Sequence, residues 1–151
     1  MALEYSLALD GAFLQDDLVA ALDACGFAAS ADPRTWAGDG VTASVGATDD
    51  RFGLYAKAVG FSPASSVLFA IDRGDGYEAG MRGMLGAVAA ILAALPGEDA
   101  VLLANHDTVL LLRRDGETTL TDRDGWWTTG LQPPLIDDLP PPHRFATLPI
   151  L

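Results

Sequence analysis

The sequence contains few of the residues that most catalytic and metal sites use. Cys25 is its only cysteine and it has two histidines, which excludes an internal disulfide, a thiolate metal site and a histidine-rich metal site. Cys25 falls on the apolar side of a predicted helix, where a buried and inert thiol is expected. The longest apolar run, over residues 84–95, is too short to span a bilayer. The N-terminus has no basic region of the kind that opens a signal peptide, so we expect a cytoplasmic protein.

Basic residues are also scarce. Nine Lys and Arg face twenty-one Asp and Glu, and the formal net charge is −12. Nucleic acids and anionic membranes are both disfavoured as partners, because binding either of them requires cationic groups. A basic protein partner would instead be attracted over long range. The alternative is that the acidity only confers solubility.

Hydrophobic periodicity predicts seven strands and two helices. Alternating or continuous apolar patterns indicate strands over 4–9, 41–47, 51–60, 66–71, 100–104, 109–113 and 118–121. Apolar residues at helical spacing indicate helices over 14–25 and 81–95. Residues 27–40 are predicted to be an irregular connection with room for a short strand. The fold class is therefore α+β: a two-layer sandwich with a mainly antiparallel sheet of five to seven strands and two amphipathic helices packed on one face.

The chain is predicted to be one domain followed by a tail. Residues 1–121 contain all the periodic segments and form a single α+β domain. Residues 122–151 are rich in proline, show little periodicity and are expected to wrap the same domain.

No motif predicts a catalytic, cofactor-binding or metal-binding residue. His106 lies in a predicted turn and His143 in the proline-rich tail, and neither place promises the fixed geometry of a general base. Residues 122–125 read Asp-Arg-Asp-Gly, like the opening of a calcium loop, but the later bidentate glutamate is missing and a turn is the better interpretation. Glycines at 80, 83 and 86 lie inside a predicted helix, where they indicate close packing or, less simply, a partner surface.

Acidic turns and adjacent tryptophans are the candidate partner-binding residues. Asp residues concentrate at predicted turns, where a partner would reach them. Of Trp126 and Trp127, one is expected in the core and one at the surface, because adjacent side chains of an extended chain point in opposite directions. Tryptophan is also enriched in interface hot spots. The predicted contact residues are Asp49, Asp50, Asp72, Asp75, Asp122, Asp124, Trp126 and Trp127.

The two ends of the folded part resemble a known family. The residues that carry the resemblance are 1–7 (MALEYSL), 99–102 (DAVL), 109–116 (VLLLRRDG), Leu120 and Trp126. They resemble the third class of the Sit-type (swarming-inhibition) immunity proteins of bacteria. The resemblance implies a non-enzymatic cytoplasmic protein that binds a cognate protein toxin and blocks its active surface. The acidic charge would suit a basic toxin.

Two other functions are left open by the sequence. One is a structural or oligomerisation module, with a homodimer formed through the glycines at 80, 83 and 86. The other is a small-ligand-binding domain or enzyme with a pocket between helix and sheet, for which the sequence offers no residues.

Overall fold

The structure is a computed structural model and describes residues 2–11, 15–47, 56–105, 107–130, 132–141 and 143–151. Among these residues, two helices are long, α1 (Gln15–Ala24) and α3 (Tyr77–Ala94), and two are single turns, α2 (Ala56–Val59) and α4 (Pro133–Ile136). A 3₁₀ turn spans Arg123–Gly125. The strands are β1 (Leu3–Leu9), β2 (Ala28–Ala29), β3 (Thr35–Gly38), β4 (Val41–Ala47), β5 (Ser65–Ile71), β6 (Ala100–Ala104), β7 (Thr108–Arg114), β8 (Glu117–Thr121) and β9 (His143–Ala146).

All nine strands form one sheet in the order β2-β3-β4-β5-β1-β6-β7-β8-β9. Neighbouring strands are antiparallel except β8 and β9, which are parallel. The α+β class is confirmed, but the predicted count of five to seven strands is too low. The additional strands β2 and β3 form a hairpin in the predicted connection 27–40, and β9 comes from the tail. These strands have four residues or fewer, too few for alternation to show in the sequence.

The predicted strand over residues 51–60 is wrong in its second half. Residues 56–59 form the helical turn α2, while residues 51–55 lie outside the described residues. Val59 is buried, and Gly60 follows it with φ +85°, a conformation that glycine adopts without strain. Alanines at 56 and 58 produce the alternating apolar pattern of a strand in the sequence, but their side chains are too small to require burial against one face of a sheet.

The main core lies between the sheet and the two long helices. Leu18 and Leu22 of α1 and Met84 and Val88 of α3 belong to the same buried cluster as Phe69 of β5. The apolar stripe predicted for the second helix is confirmed, since Met81, Met84, Leu85, Val88, Ile91 and Leu92 are all buried.

Gly80 lies where α3 packs closely against another part of the chain. A Cβ at this position would lie 2.4 Å from the carbonyl oxygen of Gly40, in the turn between β3 and β4. Gly83 is less tightly packed, and a Cβ at Gly86 would meet nothing within 4 Å. Close packing therefore explains Gly80 and, in part, Gly83, whereas nothing in the structure explains Gly86.

A second, smaller core occupies the opposite face of the sheet. Ala8, Val101, Leu103 and Val109 point to this face, where Val59 and Leu148 cover them. The partly buried residues packed against this cluster are Phe61, Leu112 and Leu151. The predicted two-layer arrangement did not include this cluster. The tail contributes to both cores, since Trp127 and Leu139 are buried in the main one.

No helix in the described part of the chain is both long enough and apolar enough to cross a membrane.

Candidate partner-binding surface

The sheet topology brings distant turns to one end of the molecule. β1 and β6 pair so that Glu4 lies next to Asn105, whose N–H donates to the Glu4 carbonyl over 3.0 Å. The turn after β5 lies beside the β3–β4 turn, where the Asp72 N–H donates to the Gly40 carbonyl over 2.9 Å. The C-terminal end of β8 lies at the same end of the sheet, because β7 begins there and β8 runs antiparallel to β7.

We call this region the acidic end, because each turn that reaches it carries exposed aspartates. Two arginines, Arg73 and Arg123, lie in the same turns, and one Nη of Arg123 donates to the Leu148 carbonyl over 2.9 Å. Within the described ranges, no salt bridge joins these aspartates to a cation. The acidic end consists of Asp39, Asp72, Asp75, Asp107, Asp122 and Asp124.

The local structure of the acidic end is set by turn chemistry. An Asp72 carboxylate oxygen accepts the Gly74 N–H over 2.9 Å, and Asp122 accepts the Thr147 hydroxyl over 3.1 Å. Asp124 adopts φ 53°, in the left-handed region that Asp and Asn tolerate better than most residues. The predicted turns at residues 72–76 and 122–125 are confirmed, and they hold the carboxylates at the surface.

The acidic end has the width of a protein interface. Five inter-strand steps separate β4 from β8, which at about 4.8 Å per step is about 24 Å. A standard interface buries about 800 Å² on each partner, a patch roughly 28 Å across. The predicted acidic residues that the structure describes therefore fit within one contact surface.

Aromatic side chains flank the acidic end. Trp126 is half-buried, with its ring centroid 6.2 Å from that of Tyr5. Burial, followed by the nearby Tyr77, raises the pKa of Tyr5. Tyr77 begins α3 next to this pair and is 37% exposed. Tyr77 and Trp126 are thus aromatic groups available beside the carboxylates.

The remaining predicted contact residues lie elsewhere. Trp127 is 1% exposed, and its indole N–H donates to the Leu110 carbonyl over 2.7 Å, so it belongs to the core and not to this surface. Its burial confirms that one of the two tryptophans is a core residue. Asp49 and Asp50 lie outside the described residues, as does His106.

Sequence reasoning missed Asp39, Asp107 and Tyr77. The Asp39-Gly40 pair is a known hairpin signal between two short strands and would have identified an acidic turn there. Nothing in the sequence shows that Tyr77, at the start of α3, is exposed beside Tyr5.

The opposite end of the sheet also carries carboxylates, and arginines contact them. Arg114 lies 3.1 Å from Asp99, and Arg144 lies 3.0 Å from Glu117. Asp99 also accepts the backbone N–H of Asp115 over 3.0 Å. Asp99 and Asp115 are therefore held by contacts that connect β6 to β7, and Glu117 by a contact that connects β8 to β9.

Arg113 is the one buried arginine among the described residues. It is 2% exposed, and its guanidinium donates to the carbonyls of Glu98, Leu92 and Leu95. These carbonyls lie at and just after the C-terminal end of α3, where a helix leaves acceptors without partners. Burial lowers the pKa of Arg113, and the neighbouring carboxylates of Asp99, Glu98 and Asp10 oppose this shift. Arg113 thus caps α3 from strand β7.

The acidic end offers charge and aromatic surface for binding. No group of three or more His, Cys, Asp or Glu side chains that could hold a metal ion exists within the part of the chain that the structure describes. His143 lies in β9, half-buried and away from the acidic end. Carboxylates that face solvent next to aromatic rings suit recognition of a cationic protein surface.

The chain matches one family profile. The profile of the SitI3-like family covers residues 3–131, most of the sequence. No curated protein and no solved structure gives a significant match. The profile match confirms the resemblance indicated by residues 1–7, 99–102 and 109–116, and it extends over the strands and turns that form the acidic end. The chain therefore belongs to the SitI3-like family.

Proposed function

We propose that this protein is a bacterial immunity protein, which binds a cognate protein toxin in the cytoplasm and blocks its active surface without catalysis. Membership of the SitI3-like family supports the immunity function. The contact surface is the acidic end together with Tyr77 and Trp126. The observation that carries this assignment is the convergence of aspartates from separate parts of the chain on one end of the sheet.

The charge of the acidic end defines the chemistry of the partner. Six exposed aspartates within about 24 Å create a negative potential that attracts a surface rich in Arg and Lys. Many surfaces that bind nucleic-acid phosphates have this character, so a basic nuclease domain is a suitable toxin.

The turns that hold the aspartates favour rapid and specific binding. Asp72 and Asp122 are each hydrogen-bonded to a neighbouring group, so little side-chain entropy is lost when a partner docks. Tyr77 and Trp126 supply aromatic surface of the kind that dominates binding energy at the centre of an interface. In this arrangement the carboxylates mainly set the association rate, and the aromatic residues mainly set the dissociation rate.

The first experiment tests the function itself. The toxin candidate is sought directly upstream of the gene for this chain, as the C-terminal domain of a large secreted protein. The two proteins are co-expressed, and we expect the chain to restore growth and to co-purify with the toxin domain. Growth arrest despite soluble expression of both proteins, with no co-purification, would contradict the immunity function.

The second experiment tests the surface with matched charge variants. Asp75→Asn with Asp124→Asn removes two charges from the acidic end, and Asp115→Asn with Glu117→Gln removes two from the opposite end. Asp115 has φ 53°, the same as Asp124, so each pair contains one left-handed aspartate that asparagine can replace. At low salt we expect the first pair to lower the association rate with the toxin about tenfold and the second pair to leave it nearly unchanged.

The two experiments fail in different ways. Equal association rates for both charge pairs, with toxin still bound tightly, would overturn the assignment of the surface and leave the immunity function intact. Rates are measured by stopped-flow fluorescence, and circular dichroism confirms that each variant is folded.

A further inference from the structure

Strand β9 forms an open edge of the sheet. It pairs with β8 on one side, and within the described residues no strand pairs with its other side. The Asp122 N–H donates to the Ala146 carbonyl over 3.0 Å, so the polar backbone groups of Ala146 point towards β8. Because these groups alternate in direction along a strand, the N–H and carbonyl of Phe145 point to the open edge. β9 therefore presents a donor and an acceptor to a further strand.

An aromatic side chain stands at the same position. Phe145 is paired with Leu120 of β8, yet its side chain is 46% exposed. Edge strands are usually protected by charges, proline or short length. The opposite edge of the sheet is protected in this way, since β2 has two residues, Ala28 and Ala29. β9 has four residues and carries a large apolar group beside its free backbone groups.

The charge around β9 selects a second copy of the chain as its partner. The chain carries a net charge of −12, so two copies repel each other over most of their surface. Residues 139–151 contain no Asp or Glu, and the charge of Arg144 is balanced by its ion pair with Glu117 of β8. A basic partner is attracted to the acidic end instead. β9 is thus an edge at which two acidic copies can approach with little local repulsion.

We propose that β9 pairs antiparallel with β9 of a second copy, in a register centred on Phe145. A two-fold axis perpendicular to the sheet places residues of the same face opposite each other. Centring on Phe145 sets the two phenylalanines side by side and lets their outward N–H and carbonyl groups exchange two hydrogen bonds. Centring on Arg144 would place two like charges opposite each other, which is unfavourable. The register follows from this difference.

The pairing is expected to be weak and to respond to salt in a characteristic way. A ladder of about four residues buries much less area than the 1,200 Å² or so at which stable interfaces begin. The dimer therefore forms only at high protein concentration. Added salt screens the repulsion between the two acidic copies and strengthens the dimer. Binding of a basic toxin at the acidic end responds to salt in the opposite direction.

The test uses the protein alone and is independent of any toxin. Sedimentation velocity over a concentration series compares the wild type with Phe145→Asp and with the control Ile150→Asp. Ile150 is 57% exposed in the same tail, but it bridges to Thr108 and is not part of β9. We expect concentration-dependent dimers of the wild type and of Ile150→Asp, and a dissociation constant about tenfold higher or more for Phe145→Asp.

Cross-linking tests the register directly. In a Cys25→Ser background, Phe145→Cys places two thiols opposite each other, with Cα atoms about 5.5 Å apart, within the range of a disulfide. Oxidation should yield a covalent dimer for Phe145→Cys and little for Ile150→Cys. Equal cross-linking of both variants would overturn the register. A wild-type protein that stays monomeric at every protein and salt concentration would overturn the pairing of two copies. The same holds if the β9 edge binds the toxin and the protein remains monomeric.

Discussion

The two ends of the sheet both carry carboxylates, but they use them differently. At the opposite end, Arg114 and Arg144 contact Asp99 and Glu117, and Arg113 caps α3. At the acidic end, the aspartates face solvent, and Asp72, Asp107 and Asp122 accept hydrogen bonds from neighbouring backbone and hydroxyl groups. At one end, therefore, charged side chains contact one another and the end of α3, whereas the aspartates of the other end face solvent. Charge changes should accordingly affect stability at one end and binding at the other.

The largest effect is expected from Arg113→Met. Methionine keeps most of the apolar stem but removes the donors to three carbonyls at the end of α3. Leaving buried acceptors without donors costs about 1–3 kcal/mol each, so we expect the free energy of unfolding to fall by about 3 kcal/mol or more. Urea denaturation measures it.

Arg114→Met is the control for this prediction. The Arg114 side chain is 37% exposed, and its ion pair with Asp99 is worth at most about 1 kcal/mol. Arg114 donates one further hydrogen bond, to the Val59 carbonyl, whereas Arg113 donates to three carbonyls. A loss of stability for Arg114→Met as large as that for Arg113→Met would contradict the capping role of Arg113.

A smaller effect is expected where α3 meets the acidic end. Gly80→Ala forces a Cβ against the Gly40 carbonyl and should lower the free energy of unfolding by about 2 kcal/mol. It should also weaken toxin binding, because the Gly40 turn carries Asp39. Gly86→Ala meets no neighbour and should raise stability by up to about 1 kcal/mol through helix propensity. Thermal unfolding compares the two variants, and a similar loss for both would show that the contact at Gly80 has no special role.

The smallest effect concerns a carboxylate at the opposite end that faces another carboxylate. The hydrogen bond with Asp10, then burial, then the charge of Asp10 raise the pKa of Glu98. A glutamate whose pKa is higher in the folded state stabilises the fold below its unfolded-state pKa, and this contribution is lost as the pH rises through the folded-state pKa. At neutral pH the ionised pair therefore costs stability.

Glu98→Gln should remove this cost. We expect a gain of less than about 0.5 kcal/mol at pH 7 that disappears as the pH falls towards about 4, measured by urea denaturation across that range. Glu117→Gln is the control, because Glu117 faces Arg144 and should give no gain at pH 7. A gain from Glu98→Gln that is constant with pH would exclude repulsion from Asp10 as its cause.

Prediction from the sequence succeeded where local periodicity is strong. The stripe of α3 is confirmed by its burial, and the strands predicted at β1 and β5 are both present. The alternation of β1 indicated one buried face, but the strand is buried on both faces from Tyr5 to Leu9, because the second core covers its other side. Prediction failed where elements are short, as in β2, β3 and β9, and where alanines imitate alternation, as in residues 56–59. The turns carrying Asp72, Asp75, Asp122 and Asp124 were found from turn residues, whereas the exposure of Tyr77 depends on neighbours that no local pattern shows.

By itself the sequence determined the class of the fold, the family and the excess of negative charge, because composition, motifs and periodicity can be read from the order of the residues alone. Only the tertiary structure decided which charges lie together. β1 lies between β5 and β6, and this pairing joins residues that are far apart in the chain. With β1 in this place, the turns after β3, β5, β6 and β8 lie at the same end of the sheet. Antiparallel pairing sends alternate turns to opposite ends of a sheet. That geometry separates carboxylates that support the fold from carboxylates that remain available for a partner.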